Sequence, residues 1–214
     1  MELSLLIMAA GASTRFGRDK QTVLYKGMPL FLHSVKNLGE MAEELLVVVP
    51  KGRIAEFTQL ARDYGVYDLK CVEGGNTRTE SVRLGLAALE SNDGFVAVHD
   101  AARPLATREL LAAVLKAASA TGGAIPGHRI VDTMMRTDEN GIITAPIDRE
   151  GAWAVSTPQV FDLKRLRAAY SALGEKSLTD DAQAFLANGN KVAIVEENCQ
   201  NTKITYSQDI ENLN

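Results

Sequence analysis

The sequence predicts an α/β fold in which a mostly parallel sheet is flanked by helices. Short apolar runs recur along the chain, and stretches with helical periodicity separate them. Strands alternating with helices pair in parallel through right-handed crossovers. The length of 214 residues is enough for one good-sized core, so we expect a single domain spanning residues 1–214.

Five apolar runs are the predicted strands. The first is nearly unbroken, as a strand buried on both faces should be, and the third is the weakest. They cover residues 3–9, 45–49, 69–72, 95–98 and 191–195, and a further strand is expected just after Lys203. Ligands of such sheets bind at the carboxyl ends of the strands, so the loops that follow these runs are candidate sites.

Helical periodicity fills the gaps between the predicted strands. The predicted helices cover residues 54–64, 79–89, 107–118 and 180–186. Thr107 is expected to cap the third helix and Thr179 the fourth, where two acidic residues also favour the helix N-terminus.

Residues 129–147 interrupt the alternation. Two extended pieces, around residues 130–135 and 142–147, flank an Asp-Glu-Asn-Gly sequence at 138–141, and Asn-Gly is a strong hairpin signal. Two interpretations stay open on pattern alone. The hairpin either lies on the sheet edge or projects as an arm, at about residues 129–148, that meets a partner chain.

Composition excludes several classes of protein. The 23 Lys+Arg and 27 Asp+Glu give a net charge of -4, which argues against a nucleic-acid-binding protein. No apolar run approaches the roughly 20 residues that span a bilayer. Because Cys71 and Cys199 are the two cysteines of the whole sequence, we expect a cytoplasmic protein without a disulfide framework.

The loop after the first predicted strand is the first candidate site. Its small residues at 9–13 let backbone N–H groups approach a phosphate closely, and Arg15 and Lys20 add positive charge. The sequence lacks the Gly-Lys-Ser/Thr of a Walker A loop and the Gly-x-Gly-x-x-Gly of a dinucleotide site. The small residues and the two cations therefore favour a phosphate site over a plain glycine-rich turn. The loop matches neither of these two nucleotide-binding motifs.

Asp100, which follows the fourth predicted strand, is the second candidate. A single carboxylate there suits Mg²⁺, which binds through one or two carboxylates plus substrate phosphates, but an Asp that caps a turn fits equally well. Arg103 is either a surface residue or an anion clamp. His99 is expected to be a packed or hydrogen-bonded histidine and not a catalyst.

Two weaker candidates complete the set. Gly74-Gly75-Asn76 opens a helix and could frame a flat base through backbone groups, although such sequences are usually simple turns. Lys203 is either exposed or directed at a phosphate.

Taken together, these motifs resemble the 2-C-methyl-D-erythritol 4-phosphate cytidylyltransferase family of the non-mevalonate isoprenoid pathway. The resemblance runs in order from about residue 3 to 213. Its most specific parts are His99-Asp100-Ala101-Ala102-Arg103-Pro104, Asp148-Arg149-x-Gly151-x-Trp153 and Thr157-Pro158-Gln159, supported by Asp132-Thr133, Thr179-Asp180-Asp181 and Lys203-Ile204-Thr205. It implies a Rossmann-like nucleotidyltransferase fold with the projecting arm.

The resemblance also implies roles for individual residues. Catalytic roles fall on Arg15, Lys20, Lys203, Arg149 and Thr133. The nucleotide CTP would be bound by Ala9, Ala10, Gly11, Gly75, Asn76, Ser81, Asp100 and Ala101. The polyol phosphate would be bound by Asp100, Arg103, Thr133, Arg149 and Thr179, and Asp100 would hold Mg²⁺. Because the family uses Thr133 and Arg149 across a dimer interface, we expect a homodimer.

Some positions depart from the family pattern. Ser13 stands where glycine is common, Asp19 where proline often precedes the lysine, and Asn76 where many members have Asp. An amide oxygen at position 76 can still accept a hydrogen bond from the cytosine amino group. Two other functions stay open: a cytidylyltransferase for another polyol phosphate such as ribitol 5-phosphate, and a nucleotide-binding protein without catalysis.

Overall fold

The protein has an α/β fold built around one central sheet. The structure is a computed structural model that describes residues 1–11, 13, 16–17, 19–174 and 176–211. Its strands are β1 (Leu3–Met8), β2 (Leu24–Tyr25), β3 (Met28–Pro29), β4 (Glu44–Val49), β5 (Lys70–Glu73), β6 (Phe95–Asp100), β7 (Gly123–Arg129), β8 (Met134–Thr137), β9 (Ile143–Ile147), β10 (Trp153–Val155), β11 (Gln159–Asp162) and β12 (Ala193–Glu196).

Helices cover both faces of this sheet. They are α1 (Leu30–Leu38), α2 (Ile54–Asp63), α3 (Arg78–Ala88), α4 (Arg108–Thr121), α5 (Leu163–Ala172), α6 (Asp181–Ala187) and α7 (Ser207–Glu211), with short 3₁₀ helices at Lys20–Thr22 and Gly39–Met41. None of the helices within the described residues is long and apolar enough to cross a membrane.

The strand order places four parallel strands together. Along the sheet the order is β10-β7-β11-β6-β1-β4-β5, and β12 pairs with β7. Strands β5, β4, β1 and β6 are parallel, whereas β11 runs antiparallel to β6 and to β7. The carboxyl ends of the four parallel strands therefore meet at one edge, and the loops that follow them lie side by side.

Alternating residues of β1 feed two cores on the two faces of the sheet. Leu5 and Ile7 are in the cluster that includes residues of α1, α2 and α4. Leu6 and Met8 are in the cluster that includes residues of α3, α5 and α6. All six residues of β1 are buried. This double burial explains the unbroken apolar run from which the strand was predicted.

The predicted fold class is confirmed, and most predicted elements lie within two residues of their observed bounds. Thr107 caps α4 as expected, since its side chain accepts a hydrogen bond from the Leu110 amide at 3.2 Å. Two details were wrong. Asp180, not Thr179, caps α6, because its carboxylate accepts from the Ala182 amide at 2.9 Å. The expected strand after Lys203 is irregular backbone that leads into α7.

The predicted hairpin forms a small sheet of its own. Strands β8 and β9 pair with each other antiparallel and not with the central sheet. The turn is built by Asp138, whose carboxylate accepts hydrogen bonds from the Asn140 and Ile142 amides, each at 2.9 Å. Most residues of the hairpin are exposed. We call residues 130–148 the arm.

Candidate active site

A cavity of about 650 Å³ lies at the carboxyl edge of the parallel strands. Loops after β1, β4, β5 and β6 contribute to it, as the strand order requires. Its lining includes many residues that the sequence singled out: Ala10, Gly11, Lys20, Gly75, Asn76, Ser81, Asp100 and Lys203. We call this cavity the carboxyl-edge pocket.

The charges of the carboxyl-edge pocket suit a polyanion. Among the described residues that line it, five are cationic and two are acidic: Lys20, Lys51, Arg53, Arg78 and Lys203 against Asp19 and Asp100. A larger concavity of about 980 Å³ lies at the opposite edge and is lined by Glu2, Glu40, Glu43, Glu44, Asp68 and Glu90 among others. Its acidic lining would repel phosphates, so we assign the site to the carboxyl-edge pocket.

The loop after β1 brings Lys20 into the pocket. Ser13 adopts a left-handed backbone with φ of 53°, and its hydroxyl lies 3.4 Å from the Lys20 amide that donates to it. The Lys20 ammonium donates to the Ile204 carbonyl at 3.0 Å, which ties this loop to the segment that carries Lys203. Arg15, the other predicted cation of the loop, lies outside the described residues.

Asp19 has a defined structural role in this chain. One carboxylate oxygen accepts from the Gln21 amide at 3.0 Å and so caps the short 3₁₀ helix that begins at Lys20. The other oxygen pairs with Arg53 at 2.5 Å. Asp19 thus fixes the backbone beside Lys20 by hydrogen bonds, in a position where the resemblance led us to expect the rigid ring of proline.

The loop after β5 is shaped by close packing. A Cβ atom on Gly74 would lie 2.5 Å from the Ala10 Cβ and 2.8 Å from the Ser81 hydroxyl oxygen, so only glycine fits there. The Gly75 amide donates to the Ser81 hydroxyl oxygen at 3.1 Å, and that hydroxyl donates to the Thr77 carbonyl at 2.8 Å. These local bonds hold the loop that carries Asn76.

Asp100 is the last residue of β6 and is largely buried. Its carboxylate lies 2.6 Å from the Lys203 ammonium and 3.9 Å from the Arg78 Nε. Burial favours the neutral acid, but the charges of Lys203 and Arg78 outweigh it and hold the pKa of Asp100 well below its usual range. The group is therefore an anion at any physiological pH.

His99 supports Asp100 from the core side. Burial lowers the pKa of His99 to about 4, so the ring is neutral at pH 7. Its Nε2 lies 3.2 Å from the Arg103 carbonyl, which can only accept, and its Nδ1 therefore accepts from the Thr157 hydroxyl at 3.1 Å. The Thr157 oxygen in turn accepts from the Asp100 amide at 3.0 Å. The expectation of a hydrogen-bonded histidine agrees with this network.

Arg103 anchors the segment that leads to Lys203. Its guanidinium donates to the backbone carbonyl of Asn201 at 2.7 Å. The side-chain amide of Asn201 donates to the Thr157 carbonyl at 2.8 Å. Burial lowers the pKa of Arg103 despite the nearby charges of Asp100 and Glu197. Arg103 does not line the carboxyl-edge pocket as the described residues define it.

The donor set of the pocket fits a magnesium ion held mainly by substrate. Across the described residues there is no cluster of three or more His, Cys, Asp or Glu side chains that could hold a metal ion. Asp100 is nevertheless an ionised carboxylate that lines the pocket. Mg²⁺ bound through one carboxylate and phosphate oxygens needs no larger protein site.

Several predicted residues do not line the pocket of one chain. Ala9 and Ala101 are buried behind it, and their amides already donate to the Val48 and Met8 carbonyls at 2.8 and 3.1 Å. Thr179 is exposed, and its hydroxyl accepts from Gln183. Two predicted residues are exposed on or beside the arm, Thr133 and Arg149. Arg149 lines a separate concavity at the base of the arm, with Arg129 and Asp148.

Sequence reasoning gave no role to Arg78, and to Asp181 only a favourable charge at a helix N-terminus. Arg78 lines the pocket, and its guanidinium binds the fully buried Asp181 carboxylate at 2.9 and 2.5 Å. The two residues are 103 positions apart, so local pattern could not pair them. The available signal was Arg78 itself, a charged residue at the start of a helix that follows a candidate loop.

The comparisons with known proteins agree on one family. A sequence profile described as "IspD: 2-C-methyl-D-erythritol 4-phosphate cytidylyltransferase" matches residues 3–213. The 2-C-methyl-D-erythritol 4-phosphate cytidylyltransferase of Endomicrobium trichonymphae is 36% identical over 215 residues, which cover 99% of this chain and 96% of that protein. The bifunctional enzyme IspD/IspF of Clavibacter michiganensis is 37% identical, and the match covers 97% of this chain and 52% of the larger protein.

Solved structures lead to the same assignment. The 2-C-methyl-D-erythritol 4-phosphate cytidylyltransferase of Thermus thermophilus is similar with a TM-score of 0.82 at 32% identity, covering 99% of this chain and 96% of that one. The bifunctional IspDF of Campylobacter jejuni is similar with a TM-score of 0.82 at 28% identity, covering 99% of this chain and 54% of that one. The profile and relatives above 30% identity extend over nearly the whole chain, and it therefore belongs to the 2-C-methyl-D-erythritol 4-phosphate cytidylyltransferase family.

Proposed function

We propose that this protein transfers the cytidylyl group of CTP to 2-C-methyl-D-erythritol 4-phosphate in isoprenoid precursor synthesis. The products are 4-diphosphocytidyl-2-C-methyl-D-erythritol and pyrophosphate. The observation that carries the proposal is the carboxyl-edge pocket. Its lining combines the loop at Gly11, the loop at Gly75 and Asn76, and an excess of cations around the Asp100 carboxylate. Family membership supplies the identity of the two substrates.

The transfer requires that the two substrates are positioned in line and that negative charge on the phosphate oxygens is stabilised. A phosphate oxygen of the acceptor attacks the α-phosphorus of CTP, a new P–O bond forms, and the bond to the β-phosphate oxygen breaks as pyrophosphate leaves. Because negative charge accumulates on these oxygens, cations held in place before the reaction stabilise the transition state. We assign this work to Arg15 and to Lys20 and Lys203, which both line the pocket.

The nucleotide is bound by two loops. The backbone around Ala10 and Gly11 is open to the pocket and would receive the triphosphate. The loop at Gly75 and Asn76, fixed through Ser81, would frame the cytosine, whose amino group is a donor that the Asn76 amide oxygen can accept. Uracil carries a carbonyl at that position, to which the Asn76 NH2 group can donate, so this contact accepts either pyrimidine.

Magnesium is the proposed cofactor. Asp100 would hold the ion together with phosphate oxygens, and a bound Mg²⁺ supplies positive charge that neutralises the phosphates. Lys203 keeps the Asp100 carboxylate ionised and oriented through its 2.6 Å contact. The Thr157 hydroxyl fixes the same residue through its backbone amide.

The acceptor site is proposed to need two chains. Thr133 and Arg149 are exposed on or beside the arm and do not line the pocket as the described residues define it. The arm also exposes large apolar side chains, with Val131 76%, Ile142 64% and Ile143 63% accessible. Exposed apolar residues of this kind are typical of an interface. We therefore infer a homodimer in which each arm brings Arg149, whose planar fork suits a phosphate, to its partner's pocket.

Two further expectations concern the setting of the reaction. Cys71 and Cys199 are both free thiols, which fits the reducing cytoplasm in which we place the enzyme. The net charge of -4 fits an enzyme of small phosphorylated molecules without a nucleic-acid partner.

One assay tests the proposed function. The purified protein is mixed with CTP and Mg²⁺ and given either 2-C-methyl-D-erythritol 4-phosphate or ribitol 5-phosphate, and pyrophosphate release is measured. We expect release with the first acceptor and little with the second. Turnover of the ribitol ester alone would assign a different polyol substrate, and nucleotide binding without any release would leave a protein that has lost catalysis.

A further inference from the structure

An ion pair between the pocket-lining Arg78 and the fully buried Asp181 joins the starts of two helices. Arg78 is the first residue of α3, and Asp181 is the first residue of α6. Both Nη atoms of Arg78 contact the two Asp181 carboxylate oxygens, at 2.9 and 2.5 Å. The Tyr170 hydroxyl donates to the same carboxylate. Asp181 is fully buried, and these two partners give its carboxylate oxygens the hydrogen bonds that a buried polar group needs.

The residues beside this ion pair are joined as well. The Thr79 hydroxyl oxygen accepts from the Leu178 amide at 2.7 Å, and the hydroxyl lies 3.2 Å from the Leu178 carbonyl that accepts from it. Thr79 is 3% exposed. Arg78 and Thr79 together therefore fasten the start of α3 to residues 178–181, the segment that contains Thr179.

The Nε side of the Arg78 guanidinium, which does not contact Asp181, faces the carboxyl-edge pocket. Its Nε lies 3.9 Å from a carboxylate oxygen of Asp100, and the side chain lines the carboxyl-edge pocket. Burial disfavours the charged guanidinium, but the Asp181 carboxylate outweighs it and raises the pKa of Arg78 above its ordinary value. Arg78 thus stays cationic with its orientation set by Asp181.

This ion pair is poorly explained by stability alone. Two charges that leave water gain little net free energy from each other, and apolar residues of similar size often stabilise a core as well or better. The ion pair lies between the loop at Gly75 and Asn76, which we call the nucleotide loop, the segment at residues 178–181, and Asp100. This location favours a role in positioning these three parts relative to one another.

We propose that Arg78, clamped by Asp181 and Tyr170, is a positioning residue for the transfer reaction. Its positive charge, with Nε 3.9 Å from the Asp100 carboxylate, steadies that carboxylate electrostatically, and it holds residues 178–181 against the loop at Gly75 and Asn76. The proposal rests on the proposed function, since the use of the acceptor is its readout. It predicts that changes at Asp181, which does not line the pocket, impair the acceptor more than CTP.

Asp181→Asn is the main test because it removes the charge and keeps the size. We expect kcat/KM for 2-C-methyl-D-erythritol 4-phosphate to fall by at least about tenfold, the scale of a small misplacement of reacting groups. The CTP dissociation constant, measured by calorimetry, should change by less than about threefold, since Ser81 and Thr77 hold the nucleotide loop through their own bonds. Arg78→Lys, which keeps the charge but loses the fork, should show the same split.

Thr79→Val is a second, independent variant. It removes both bonds to Leu178 and leaves the ion pair in place, so it tests the attachment of residues 178–181 by itself and should lower acceptor use more than CTP binding. Arg78→Lys decides the role of the ion pair if Asp181→Asn does not fold. Asp93→Asn is the matched control, because it breaks the exposed ion pair with Lys164 and should leave kinetics and CTP binding as in the wild type.

The outcomes separate this proposal from the proposed function. Wild-type turnover of the acceptor tests the function, and the variants are compared with that rate. A folded Asp181→Asn protein with wild-type kcat/KM and a lowered melting temperature would show a purely structural ion pair and overturn the proposal. An equal loss of CTP affinity and acceptor use would also overturn it, since Arg78 would then act as a nucleotide ligand.

Discussion

Asp100 illustrates how single residues set the chemistry of the pocket. Its side chain is 13% exposed, yet it stays ionised because Lys203 and Arg78 flank it. Its backbone is held from behind by Thr157, which is held by neutral His99. The carboxylate therefore has a fixed position and a negative charge before any substrate binds, as electrostatic preorganisation requires.

Lys20 is the first residue at which the proposed mechanism can be tested. We expect Lys20→Ala to lower kcat by more than about a hundredfold, the scale of losing one preorganised charge-stabilising donor. Lys116→Ala, which removes an exposed lysine of α4, is the control and should keep the wild-type rate. Steady-state kinetics with both substrates gives the answer, and an unchanged kcat in Lys20→Ala would remove Lys20 from the mechanism.

His99 links stability to pH. Its pKa is about 4 in the folded chain against an ordinary value of 6.5, so between these values the unfolded chain binds a proton that the folded chain does not. The free energy of unfolding therefore falls as the pH drops below 6.5 and is unaffected well above it. Between pH 7 and pH 5 we expect a loss of about 2 kcal/mol from this residue.

Urea denaturation of the wild type and of His99→Gln measures this loss. Glutamine can donate to the Arg103 carbonyl and accept from Thr157, but it does not titrate. The wild type should lose about 2 kcal/mol more than the variant over the same acidification. Equal losses in the two proteins would show that other groups cause the acid sensitivity.

At the scale of elements, predictability follows how local the determining interactions are. Thr107 was predicted as a cap correctly because capping depends on the next three residues. β7 was not predicted, since it contains Gly123, Pro126 and Gly127, which are poor strand residues, and its pairing comes from β10, β11 and β12. α6 was predicted one residue early because Asp180 and Thr179 are both good caps and only the fold chooses between them.

The same reasoning applies to the candidate site. The loops after β1, β5 and β6 were found because each follows a strand that its own apolar run predicts. The Arg78 to Asp181 and Asp19 to Arg53 pairs were not found, because they join separate loops. Sequence pattern thus located the edges of the pocket, while the bonds that fix its charges required the fold.

The arm is the element whose role is most open to direct test. We expect Ile143→Asp to weaken self-association by on the order of a hundredfold or more, since each dimer would lose two buried side chains worth about 1.5 to 3 kcal/mol each. Sedimentation velocity over a concentration series measures this. Tyr67→Asp, at another exposed side chain far from the arm in sequence, is the control and should leave association unchanged. Equal association of Ile143→Asp and wild type would argue against an arm-mediated dimer.

The distribution of charge organises the whole molecule. The chain carries a net charge of -4, yet the carboxyl-edge pocket gathers five cations and the opposite edge gathers acidic residues. A local positive field of this kind attracts a triphosphate, while the overall negative charge disfavours long polyanions. The parallel sheet makes this polarity possible because all four strands deliver their following loops to one edge.

The proposed division of the active site between two chains predicts complementation. Lys20→Ala should disable the pocket of its own chain, whereas Arg149→Ala should disable acceptor binding in its partner's pocket and leave CTP affinity nearly intact. Each variant alone is then nearly inactive. In a mixed dimer, one site combines the intact Lys20 of one chain with the intact Arg149 of the other, and the second site carries both defects.

Mixing the two inactive variants should therefore restore activity. After subunit exchange at equal concentrations, about half of the dimers are mixed and each has one working site of two, so about a quarter of wild-type activity should return. The measurement is pyrophosphate release before and after exchange, with a mixture of Lys20→Ala and Lys20→Ala/Arg149→Ala as the control that cannot recover. If exchange is demonstrated and no activity returns, Lys20 and Arg149 serve the same chain, and the arm does not complete its partner's site.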